Sequence, residues 1–168
     1  CNAVVYTNPS QTIALGENVK FYTDDGKTLG IEDCLAGNIV FTKSTSNVLN
    51  FENYEGAVWL RFSVINKTEE ALLVAFGNPE LDNIEMYAVK GNKVIAHNKS
   101  GKNSPNDSRY LRSNKINFEI HPEATEFFVK VESLSMLYLP MSLGSISALS
   151  GKLHVDNIFN GAVVGILL

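Results

Sequence analysis

Two cysteines, one tryptophan and five prolines occur in 168 residues, and no block of consecutive Lys and Arg residues appears anywhere. Cys1 and Cys34 are too few for a disulfide framework. They leave two readings: one Cys1–Cys34 bridge in an oxidising compartment, or a terminal thiol and a small buried hydrophobe. The missing basic stripe, with a net charge of −4, argues against nucleic acid as a partner, because a phosphate backbone demands clustered positive charge. The chain starts at Cys1 rather than Met, as expected of a processed or excised piece. Cys1 would also suit the lipid-modified residue of a bacterial lipoprotein. No nucleophile motif, phosphate loop, HExxH, CxxC or dinucleotide-binding glycine loop is found. The acidic pairs Asp24/Asp25 and Glu69/Glu70 are neighbours in loops, without the separation of about 5–10 Å that paired-carboxylate hydrolysis needs. His97, His121 and His154 have no metal-ligand spacing. We therefore expect no enzyme, no cofactor and no metal site.

What is present is a globular composition, 45% hydrophobic and 19% charged, in a chain long enough for one domain with a real core. The stretch AVWLRFSVIN, 57–66, organises the rest. On a strand, Val58, Leu60, Phe62 and Val64 share one face and Trp59, Arg61, Ser63 and Ile65 the other. The first face is wholly apolar. The second, with an aromatic ring and a fixed cation, suits either the floor of a binding groove or a surface covered by a neighbouring loop.

Around it lie nine or ten short strands at spacings near ten residues. ALLVAFG (71–77) is continuously apolar and reads as buried on both faces. IEMYAVKG (84–91) and VIAHN (94–98) are joined by a hairpin turn at Lys90–Lys93. EFFVKVESL (126–134) and LYLPMSLGS (137–145) follow, with Pro140 marking an edge or bulge. One short helix is expected after the Asp24–Lys27 turn, stopped by Gly37. This is the pattern of an all-β sandwich or jelly roll. The expected division is an N-terminal lead (1–11), the sandwich (12–150) and a linker (151–168). The uncharged end of that linker, IFNGAVVGILL, is too short to cross a bilayer, which takes about 20 residues. It suits a buried last element or the first part of a membrane span, and Gly161 and Gly165 form a small-xxx-small pair.

Trp59, Tyr87 and Tyr110 are aromatics on or beside polar faces, and Arg61, Arg109 and Arg112 are planar donors. Together they suit sugars and other small polar ligands. The competing reading has Trp59 and Tyr87 filling the sandwich while the arginines pair with surface acids.

Ordered motifs then point to a family. Asp25-Gly26 through Leu29, Ile31 and Asp33 follows a D-G-x-L-x-I-x-D segment, with one extra residue between Gly26 and Leu29. Trp59-Leu60-Arg61-Phe62 through Asn66 follows W-L-R-F-x-x-x-N. Asn78, Pro79, Leu81, Asp82, Ile84 and Tyr87 follow N-P-x-L-D-x-I-x-x-Y. Gly101 and Arg109, then Val131, Ser133 and Pro140, complete the order. From about residue 12 onward the chain resembles the type 2 periplasmic (extracellular) sensor domain of bacterial seven-transmembrane receptors with diverse intracellular signalling modules. The resemblance implies a jelly roll similar to carbohydrate-binding modules, a periplasmic location on a membrane-anchored receptor, and non-catalytic sensing of a small molecule or carbohydrate. It also implies that 156–168 leads into a membrane helix. The ligand contacts expected are Trp59, Arg61, Tyr87, Arg109 and Tyr110, and a homodimer is an open possibility. The alternatives are a carbohydrate-binding or adhesion module of a secreted protein, and an interaction domain whose β-face binds another protein. Deleting residues 152–168 is expected to improve solubility and leave a cooperative thermal transition; loss of that transition would make the tail part of the core.

Overall fold

Alternation in the 57–66 stretch produces strand β6 (Ala57–Phe62) and, after a break at Ser63, β7 (Val64–Asn66). The structure is a computed structural model that describes residues 3–103, 115–134 and 136–151. The remaining strands, in chain order, are β1 (Val4–Tyr6), β2 (Thr12–Ala14), β3 (Lys20–Asp24), β4 (Thr42–Lys43), β5 (Leu49–Asn50), β8 (Leu72–Phe76), β9 (Asn83–Lys90), β10 (Lys93–Ser100), β11 (Ile116–Glu119), β12 (Glu126–Glu132), β13 (Tyr138–Leu139) and β14 (Met141–Ser145). Helix α1 spans Ile31–Leu35, and a second helix, α2, occupies 146–151.

Two antiparallel sheets form an all-β sandwich. The larger has the order β10-β9-β12-β6-β3-β4, the smaller β11-β8-β14-β2, and β1–β7 (parallel) and β13–β5 are short accessory pairs. The core lies between the sheets. Val58, Leu60 and Phe62 of β6 meet Phe127 and Val129 of β12 on one side, and Val74, Phe76 and Phe118 of the smaller sheet on the other. Phe62 and Phe127 are register partners whose rings stack at 5.4 Å. As its unbroken apolar run predicts, every residue of β8 is buried: Val74 faces the core, while Leu73 and Ala75 pack under Ile146 and Leu149 of α2.

Local chemistry sets the turns. Gly91 and Asn92 both have positive φ, 57° and 62°, the geometry whose twist matches a two-residue hairpin. Beyond it the β9–β10 register slips between Val94 and Ala96, a bulge in the outermost strand. Pro140 falls between β13 and β14 and breaks that strand where expected; its carbonyl accepts the Gly77 N–H at 2.8 Å. Asp24, nearly buried, accepts the Leu29 N–H at 2.9 Å and folds the Asp24–Lys27 turn back on itself.

The stretch read as a lead is not loose: β1 lies in it, and Tyr6 is fully buried. The Tyr6 hydroxyl donates to the Gln11 carbonyl at 2.7 Å and accepts the Ser145 N–H at 3.1 Å. Ser145 Oγ donates to the Pro9 carbonyl at 2.6 Å and accepts the Ala148 N–H at 3.1 Å, which caps α2. The two ends of the described chain are thus joined at one buried junction. Tyr6→Phe strands the Ser145 N–H and the Gln11 carbonyl, so it is expected to cost about 1–3 kcal/mol in urea unfolding; an unchanged midpoint would show that water replaces the hydroxyl.

Candidate functional site

Period two turns Trp59 and Arg61 of β6 away from the core, together with the matching residues of its neighbours. Strand registers align them in two rows across the sheet. Lys20, Arg61, Phe128, Tyr87 and His97 form one; Tyr22, Trp59, Lys130, Glu85 and Lys99 form the other. The chain between β3 and β4 crosses this face. Its residues Leu29, Ile31, Cys34, Leu35, Ile39 and Phe41 pack with Trp59, Val89 and Phe128 into a second apolar cluster.

Trp59 is therefore fully buried, under a cover rather than at the floor of an open groove. Its ring stacks near Tyr87 at 6.0 Å, and Lys130 Nζ lies 5.6 Å above it. Its Nε1–H has no hydrogen-bond partner among the described residues, an arrangement that costs about 1–3 kcal/mol in a dry interior. Arg61 stays partly exposed. Its Nε donates to Glu126, and its guanidinium lies 5.5 Å over Phe128 and 5.8 Å over Phe41. Tyr87 is held between Trp59 and the His97 imidazole, which stacks on it at 4.1 Å and 9°. The exposed end of this aromatic stack is the histidine, a residue that the sequence offered only as one of three scattered histidines. Arg109 and Tyr110 lie outside the described residues, as does Arg112.

Glu85 is the hub of the outer edge. It accepts the Tyr87 hydroxyl at 2.9 Å, pairs with Lys99 at 2.9 Å and lies 3.9 Å from His97 Nε2. Burial alone would raise its pKa, but hydrogen bonds from Lys99 and Tyr87 and the Lys99 charge hold it below the usual carboxylate value. Burial also lowers His97, against the pull of Glu85, and raises Tyr87, reinforced by its bond to Glu85. Cys34 is a free, buried thiol pushed up to about 12, chiefly by burial and then by the Asp33 charge. That is the behaviour of a packing residue rather than a nucleophile.

The expected all-β sandwich is the observed fold. A profile of the family described as 7TMR-DISM extracellular 2 matches residues 16–145. The chain belongs to that family. No curated protein matches the chain. 7TMR-DISM extracellular domains are the sensor portions of membrane receptors, which places this sandwich on the outer side of a membrane. No helix among the described residues is long and apolar enough to cross one.

The Glu85–His97 cluster sets a pH dependence. Both groups hold fewer protons folded than unfolded, so both contribute stability that is lost on acidification. The Glu85 contribution is present above its ordinary 4.5 and is lost as pH falls through its lowered value. That of His97 is present above 6.5 and is lost as pH falls through its lowered value. Urea midpoints should therefore decline from about pH 7 toward acid, and His97→Gln should flatten the decline just below pH 6.5; parallel curves would exclude His97 from it.

Proposed function

We propose that this domain senses a small polar ligand, with carbohydrate the first class to test, and relays occupancy toward the membrane without catalysing a reaction on the ligand. The sandwich is read as a jelly roll similar to carbohydrate-binding modules, bounded at about 12–150, in the periplasm of a bacterium and anchored by the chain that follows. Arg61 and His97, with Tyr87 stacked behind the His97 ring, are the ligand contacts among the described residues. Trp59 backs the stack, His97 presents its open face, and the Arg61 terminal nitrogens reach for ligand oxygens. Arg61 and His97 stand three strand spacings apart, about 14 Å, so a ligand touching both spans more than one sugar ring.

The observation that carries the relay is the junction at Ser145. The core strand β14 passes into α2 with no intervening loop, and Leu149 of that helix packs on Leu73 and Ala75 of the sheet. A ligand can shift such a connection only by its different affinity for two arrangements of it. Two copies facing one another would offer a second input to the same helix.

A thermal-shift screen of mono- and oligosaccharides tests this reading. A true ligand at about 100 times its Kd adds about 2.7 kcal/mol of stability, and both His97→Ala and Arg61→Ala should remove the shift. No stabilisation by any sugar, with self-association in sedimentation, would favour a protein-binding face instead.

A further inference from the structure

The row of outer-face residues through Arg61 continues to the edge of the sheet as a run of cations. Lys43 of β4 faces Lys20 of β3, and Lys20 faces Arg61 of β6. Alternation puts all three on the outer face, each two residues from Phe41, Tyr22 or Trp59 of the outer apolar cluster. Directly opposed side chains leave neighbouring strands about 5 Å apart, so three positive groups spring from within about 10 Å. Opposed like charges weaken a sheet, and elsewhere this face avoids them. Its other register contacts between charged residues join opposite signs, Lys130 with Glu85 and Glu85 with Lys99. With 18 acidic residues against 14 basic ones in the chain, composition does not force the exception.

One carboxylate answers the three cations. Glu126 accepts from Arg61 Nε, while Lys20 and Lys43 make no ion pair among the described residues. Arg61 is also pre-set: its guanidinium is held over Phe41 and Phe128, and with Nε engaged its terminal nitrogens keep their donors. A fixed planar fork flanked by ammonium groups matches the oxygens of a carboxylate or phosphate. We propose that the Lys43–Lys20–Arg61 row is an oxyanion site, and that the outer face accordingly takes an acidic ligand, a saccharide carrying a carboxylate. A free oxyanion such as phosphate shares that chemistry and is the source to be distinguished. The oxyanion site rests on the row itself; the saccharide rests on the sensing function proposed above.

Calorimetric titration of the whole 168-residue chain with an oligogalacturonate, the neutral galacto-oligosaccharide of the same length and inorganic phosphate tests the assignment. The acidic oligomer should bind saturably, weaken as ionic strength rises, and exceed the neutral one about tenfold. Lys20→Gln and Lys43→Gln should each weaken it about three- to fivefold and leave the neutral oligomer unchanged. Because Lys43→Gln removes an opposed like charge, its urea midpoint should hold or rise. Phosphate binding that both substitutions weaken, with no binding of either oligomer, would support the oxyanion site with a free anion as its source and refute the sugar reading alone. Equal binding of acidic and neutral oligomers, untouched by the substitutions, would overturn the oxyanion site and leave the sugar reading standing. Failure of every anion to bind would also overturn it. So would self-association or a lowered midpoint of Lys43→Gln with unchanged anion affinity, which would make Lys43 an edge guard or a structural residue.

Discussion

Strand β6 is buried on both faces, and much of the architecture follows from that constraint. Its inner residues are satisfied by the smaller sheet, as in any sandwich. Its outer face carries Trp59, a large apolar surface in the middle of a six-stranded sheet, which cannot be left in water without a cost of about 1.5–3 kcal/mol. The chain answers by sending the β3–β4 connection across it. The Asp24 turn, the short helix α1 and Phe41 are consequences of that need, and the buried Cys34 is part of the cover.

Much of this was legible in the sequence. The apolar face of 57–66, the buried run at 71–77, the hairpin at Lys90–Lys93, the helix stopped by Gly37 and the break at Pro140 all follow from local periodicity and turn chemistry. Val4–Tyr6 escaped because a three-residue strand has too little alternation to register, and its parallel pairing with β7 is a long-range fact. Residues 38–44 form only a two-residue strand because most of that stretch is used in covering Trp59. The outer face was legible as two alternatives, but the choice between them lay in a loop whose path no local pattern encodes. His97 joins the aromatic stack only through β9–β10 register.

The N-terminal segment and α2 meet at Ser145, and this bears on how a sensor domain transmits. One side chain caps α2 and holds the segment before β2, while the same residue terminates a core strand. Rearrangement of the sheet at β14 must therefore reach the helix and the N-terminal segment together.

The bulge between Val94 and Ala96 has a consequence for crowded membranes. β10 is the outermost strand of the larger sheet among the described residues, and a straight edge of that length is a template for strand addition by a neighbour. Receptors held in two dimensions meet their own copies far more often than soluble proteins do. The displaced register, with Lys93 and Lys99 along the same strand, works against such strand addition.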